Sequence, residues 1–161
     1  LLSKWLDVYD QYHIVFDQLS IFIGEKLPIE TRFIIFTSIA ETYVSLKEPN
    51  HNNSLQASLK YLNESLSKEM RVLDKFSAIK IDRIRTTRNK LVHGKLDNDN
   101  SQDAIITDIH ELLVAGRLIE YLVITDIFKT LGSSNHILEE IRDYYRFYID
   151  ISSTRTQPEL P

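Results

Sequence analysis

The sequence contains no cysteine, which excludes disulfide bonds and thiolate metal ligands and fits a reducing compartment. Glycine and proline are also scarce, with four of each in 161 residues, whereas turn-rich folds use many more of both. The longest apolar run, at 112–124, is too short for a bilayer and is interrupted by Gly116, Arg117 and Glu120. We therefore expect a helical protein that does not enter the membrane and that resides in the cytoplasm.

The composition, with 43% hydrophobic and 26% charged residues, is that of a folded domain. A chain of this length is sufficient for one core. The formal net charge of -4 argues against a basic coat over the whole surface, although it says little about local patches. We expect a bundle domain at 1–152 and a flexible tail at 153–161. Because the amphipathic pattern is already under way at Leu1, we also expect a fragment of a longer protein.

The apolar residues recur at helical spacing, which predicts an all-α, up-and-down bundle of about six helices. The second helix is expected between Pro28 and Pro49, and the third after a cap at Asn53 or Ser54. The fourth is expected at about 77–93. The fifth should begin at Ser101 and Asp103, run to about Leu131 and be central, because it is apolar on several sides. The inward faces predicted for the first and sixth helices are Leu2, Trp5, Leu6, Tyr9, Tyr12, Phe16, Leu19 and Ile23, and Ile137, Ile141, Tyr144, Tyr148 and Ile151.

Two motifs for metal or nucleotide binding are incomplete. The pair His110 and Glu111 begins like a zinc-protease box, but Val114 stands where the second histidine belongs. The segment KTLGSS at 129–134 lacks the leading glycines of a phosphate-binding loop. We expect neither a metal nor a cofactor.

The fourth helix carries a charged residue on its inward face. Ile81, Ile84, position 88 and Leu91 follow steps of three and four, and position 88 is Arg88. A buried guanidinium costs several kcal/mol unless it is paired, so Arg88 should meet a carboxylate, a symmetry mate or a phosphate. A packing salt bridge or a snorkelling side chain would explain it equally well. His93 lies roughly 140° further around the helix, next to the natural stop at Gly94.

The same region concentrates positive charge. Between Lys80 and Lys95 there are six basic residues and one acid, Asp82. Such a cluster suits contact with an anionic polymer, although a solvated helix face is the commoner explanation.

Arg88 and Asn89, followed after three intervening residues by His93, resemble the R-x4-6-H motif of the HEPN superfamily. The stretch IRTTRNKLVHG, with the upstream RFIIFTSIAETYVSL that contains Ala40 and Glu41, is similar to the C-terminal HEPN domain of ApeA-type anti-phage proteins. The resemblance implies a bundle that dimerises so that two motifs face each other and form a metal-independent ribonuclease site. It further implies an N-terminal sensor region in the same protein, and transfer RNA as a candidate substrate.

The residue types suit that chemistry. An RNA 2'-hydroxyl can attack the adjacent phosphorus if His93 moves protons and Arg88 stabilises the phosphate charge. Asn89 and Glu41 are further catalytic candidates. Asn89 would bind the phosphate or orient His93, and Glu41 would hold Arg88 or His93 in place. The RNA-backbone candidates are Arg85, Lys90 and Lys95. We therefore predict a toxin-like endoribonuclease of abortive anti-phage defence.

Two alternatives remain. The first is a catalytically silent HEPN module for dimerisation or RNA binding. The second is a toxin modified by a nucleotidyltransferase partner. Lys95 stands where such toxins tend to carry a tyrosine, two residues after His93, and this counts against the second alternative.

Overall fold

The computed structural model describes residues 2–20, 26–50, 52, 54–72, 81–93 and 105–154, without the side chains of residues 2, 4 and 152–154. These residues form helices and connections, and no strand is found among them. The all-α prediction is therefore confirmed. The helices are α1 (Leu2–Ser20), α2 (Ile29–Lys47), α3 (Leu55–Ser65), α4 (Ile81–His93), α5 (Ile109–Thr130) and α6 (Asn135–Thr154).

Helices α2 and α5 form the centre of the bundle. Phe33 packs against Gly116, and Tyr43 donates a hydrogen bond to Asp126, so the two helices run parallel. Helices α1, α3 and α4 lie against α2, and α6 lies against α5. Most of α5 is buried, as predicted for a central helix. Among the helices described, none has the length and apolar character needed to cross a membrane.

Helix α6 folds back on α5 through a tight turn at Gly132. This glycine has a φ of 78°, a left-handed conformation that favours residues without a Cβ. Its N–H donates to the carbonyl of Lys129 at 2.9 Å, and the N–H of Ser133 donates to the carbonyl of Phe128 at 3.0 Å. These two bonds form a Schellman motif, which ends α5 and reverses the chain.

The predicted cap of α3 is found at Ser54, whose Oγ accepts from the N–H of Ala57 at 3.3 Å. The start predicted for the fifth helix is wrong. Residues 105–107 are not helical, and the carboxylate of Asp108 caps α5 by accepting from the N–H of His110 at 2.7 Å. The chain before this cap is joined to α4, because the N–H of Ile106 donates to the hydroxyl of Thr87 at 2.8 Å. The start that we predicted, at 101–103, lies outside the described residues.

The inward faces predicted for α1 and α6 are only partly right. The buried residues of α1 are Val8, Tyr12 and Val15, and Trp5 and Leu6 are exposed. The helix is kinked at Tyr12, whose φ of -119° and ψ of 20° are not helical, so one straight stripe does not describe it. In α6, Ile137 and Tyr144 are exposed, and the residues next to them, Leu138 and Tyr145, are buried instead, as is Ile149.

Candidate active site

Helix α4 is the most polar of the helices around the core. Its buried residues are Ile84 and Thr87, and Ile81 is packed against the core at its edge. Leu91 is 38% exposed, so the inward face predicted for this helix is wrong at its last position. The part of the face that ends at Arg88 is turned towards the bundle, because α4 lies against α2 and α3.

Arg88 is paired with Glu41 of α2. Its Nη2 donates to Glu41 Oε2 at 2.9 Å, and its Nη1 donates to Asn89 Oδ1 at 3.3 Å. The two charged side chains are 25% and 21% exposed. Of the partners considered for an inward guanidinium, the fold therefore supplies a carboxylate. The structure brings together Arg88, Asn89 and Glu41, three of the four residues that we predicted to be catalytic.

Glu41 is held in an environment that disfavours its charge. Burial raises the pKa of its carboxyl group above the usual 4.5, and the nearby Arg88 and the backbone N–H of Leu55 oppose this effect only in part. The carboxylate thus lies at the meeting point of α2, α3 and α4, with one guanidinium as its ion-pair partner.

His93, the fourth predicted residue, occupies a different position. It is the last residue of α4 and is exposed. It lies about 7.5 Å further along the helix axis than Arg88. Leu91 and Val92, on the same final turn, are 38% and 44% exposed. The histidine end of the motif therefore faces away from the core of its own chain and carries apolar side chains beside it.

The basic cluster is less positive in three dimensions than in the sequence. Arg83 forms a forked pair with Glu111, with distances of 2.9 and 3.2 Å, and Arg88 pairs with Glu41. Carboxylates from α5 and α2 thus neutralise two of the cations. Of the predicted RNA contacts, Arg85 is exposed and Lys90 is half-buried, and Lys95 lies outside the described residues.

Sequence reasoning missed a buried polar cluster around Asp126. This fully buried carboxylate accepts from Tyr43 Oη at 2.8 Å and from Ser65 Oγ at 2.6 Å, and it forms an ion pair with Lys47. Burial, reinforced by Asp126, raises the pKa of Tyr43. The cluster joins α2, α3 and α5. An aspartate within the apolar stretch of α5 was the signal that could have revealed it, because a buried carboxylate requires partners.

Glu120 forms a second such cluster. It accepts from Arg32 of α2 at 3.2 Å and from Arg117 at 2.9 Å. Two residues that interrupt the apolar run at 112–124 are therefore paired with each other. Their charge is accommodated within the bundle and serves the contact between α2 and α5.

The fold and the motif define the class of protein as a HEPN-type helical bundle, with an arginine-to-histidine motif at the end of its fourth helix. The chain belongs to the Apea-like HEPN family, whose sequence model matches residues 15–137. The match spans α2 to α5 and includes the end of α1 and the beginning of α6. Neither a curated protein nor a solved structure matches the chain. Membership of this family suggests a role related to nuclease activity or defence.

Proposed function

We propose that this domain is a metal-independent endoribonuclease in which Arg88 and His93 act on a phosphodiester of RNA. The observation that carries the proposal is the pairing of Arg88 with Glu41 at 2.9 Å, which holds a permanent positive charge in a fixed place on the helix that ends at His93. Family membership supports the same function.

In the proposed reaction the 2'-hydroxyl oxygen of the substrate attacks the adjacent phosphorus, and the bond to the 5'-oxygen breaks. The proton of the hydroxyl passes to the imidazole of His93, which then delivers it to the departing 5'-oxygen. The guanidinium of Arg88 stabilises the negative charge that develops on the phosphate oxygens. Asn89 orients Arg88 or contacts the phosphate. The products are a 2',3'-cyclic phosphate and a 5'-hydroxyl end.

The imidazole of each site comes from a second copy of the chain in this proposal. His93, Leu91 and Val92 share the exposed last turn of α4, so a twofold axis near this turn would cover the apolar side chains and bring the two motifs together. Glu41 positions Arg88 from the core side. Each composite site would thus use Arg88 of one protomer and His93 of its partner.

Arg85 and Lys90 are proposed to contact the RNA backbone, together with Lys95. Structured RNA, with transfer RNA as the first candidate, is the substrate class that the family resemblance favours. The activity would serve abortive anti-phage defence under the control of an N-terminal sensor region of the same protein.

The test is incubation of the purified protein with total RNA in EDTA, followed by mapping of the RNA ends. We expect cyclic-phosphate and 5'-hydroxyl ends, and we expect Arg88→Ala and His93→Ala to abolish them. Arg146→Ala and His136→Ala are matched controls, because both residues are exposed on α6. A metal requirement, or full cleavage by both site variants, would refute the proposal.

The silent module remains the second candidate. It predicts that the wild-type protein forms a dimer or binds RNA without producing new RNA ends. The exposed Leu91 and Val92 are compatible with such an assembly role. The cleavage assay and a measurement of oligomeric state in the same preparation separate the two functions.

A further inference from the structure

The orientation of α4 depends on polar contacts more than on its apolar face. Ile84 is fully buried, but the other buried residue of the helix is Thr87, and Leu91 and Val92 are exposed. A narrow apolar contact resists rotation of a helix about its axis poorly. Other contacts must therefore fix the rotation of α4 and with it the positions of Arg88 and His93.

Thr87 joins α4 to the chain that precedes α5. Its hydroxyl donates to the carbonyl of Arg83 at 2.6 Å and accepts from the N–H of Ile106 at 2.8 Å. Both Thr87 and Ile106 are buried. The hydroxyl therefore bridges two separate segments of backbone.

Arg83 makes a parallel connection one turn earlier. Its Nη1 donates to Glu111 Oε1 at 2.9 Å, and its Nη2 donates to the carbonyl of Ile105 at 3.0 Å. The forked guanidinium thus binds α5 and the segment before it at once. We call Arg83 and Thr87, with their contacts to 105–111, the α4 clamp.

We infer that Arg83 and Thr87 are positioning residues for Arg88 and His93, an inference that rests on the proposed ribonuclease function. Arg88 anchors α4 to α2 through Glu41, and the α4 clamp anchors the same helix to 105–111. Because one anchor binds α2 and the other binds 105–111, α4 cannot easily rotate about its own axis. A displacement of about 1 Å at a reacting group can cost on the order of 100-fold in rate.

The test compares Thr87→Val with Thr37→Val. Valine keeps the shape of threonine but lacks the hydroxyl, so the N–H of Ile106 loses its acceptor. Thr37 is the matched control, because it is also buried in a helix and donates to its own helix, to the carbonyl of Ile34 at 2.7 Å. We expect Thr87→Val to lower kcat for RNA cleavage by about tenfold or more, with KM changed less than about threefold, whereas Thr37→Val stays near wild type.

Hydrogen exchange gives a readout that does not require activity. We expect the amides of Ile106 and α4 to exchange about tenfold faster in Thr87→Val, and at the wild-type rate in Thr37→Val. Arg83→Lys is the second variant, because it keeps a positive charge opposite Glu111 but loses the forked guanidinium. It should lower kcat in the same way.

The outcomes are distinguishable. Unchanged kcat in both Thr87→Val and Arg83→Lys would overturn the positioning role. Equal exchange rates in Thr87→Val and Thr37→Val would overturn the clamp itself. If the wild-type protein cleaves no RNA, the proposed function fails, and the exchange comparison still decides whether Thr87 restrains α4.

Discussion

Glu41 of α2 and Arg88 of α4 form an ion pair with 2.9 Å between Oε2 and Nη2, although 47 positions separate them in the chain. Neither side chain is fully solvated, with exposed fractions of 21% and 25%. Burial raises the pKa of Glu41 despite the neighbouring guanidinium. The pair therefore holds Arg88 in place, but burying the charged carboxylate of Glu41 costs solvation energy. This cost should make the stability of the protein depend on pH.

Comparison with Glu41→Gln should show how Glu41 makes the free energy of unfolding depend on pH. Because the pKa of Glu41 is higher in the folded than in the unfolded chain, the folded state binds more protons between the two pKa values. The contribution of Glu41 to the free energy of unfolding is then greatest below the unfolded pKa and falls as pH rises through the folded pKa. We expect the stability of the wild type relative to Glu41→Gln to fall over that window, as measured by urea denaturation at a series of pH values. A flat or rising difference would contradict the argument.

Asp126→Asn should destabilise the fold strongly. The substitution removes a fully buried negative charge and leaves Lys47 without its counter-ion. Asparagine also has only one side-chain oxygen, whereas Tyr43 and Ser65 each donate to a different oxygen of Asp126. Breaking one side of a buried pair typically costs about 3–5 kcal/mol. Urea denaturation measures the loss. Asp143→Asn is the control, because Asp143 and its partner Arg146 are mostly exposed and their pair should contribute little.

The features that could be predicted from the sequence are those that local geometry determines. The inward position of Arg88 follows from the steps of three and four that connect Ile81, Ile84 and Arg88, and the cap at Ser54 follows from its side chain. The inner face of α6 could not be settled in this way. Ile137 and Leu138 are adjacent apolar residues, and only the packing of the folded chain decides that Leu138 is the buried one.

Contacts between distant residues account for the other differences. The segment before α5 is bonded to α4 through Thr87 and Ile106, which lie 19 positions apart. The charge of the basic cluster depends on Glu41 and Glu111, which come from other helices. Neither contact leaves a local pattern that helix periodicity can detect.

Gly116→Ala should stabilise the protein. Gly116 lies within α5, where glycine costs up to about 1 kcal/mol relative to alanine. A Cβ at this position would lie 3.8 Å from Phe33 Cα, an ordinary van der Waals distance. We therefore expect the free energy of unfolding to rise by about 0.5–1 kcal/mol in urea denaturation. Gly116→Leu should lower it, because a larger side chain would overlap Phe33; a loss in the alanine variant would show that the helices cannot accept the methyl group.

Mixing two inactive variants should restore cleavage if the site is shared between protomers. Arg88→Ala retains His93, and His93→Ala retains Arg88. A mixed dimer then contains one site with both groups intact and one site with neither. After the two variants are unfolded together and refolded at equal concentrations, half of the dimers are mixed, so we expect about one quarter of the wild-type cleavage rate. The measurement is the initial rate of RNA cleavage against each variant refolded alone. A mixture as inactive as its components would mean that Arg88 and His93 of the same chain act together, or that both copies of each are required.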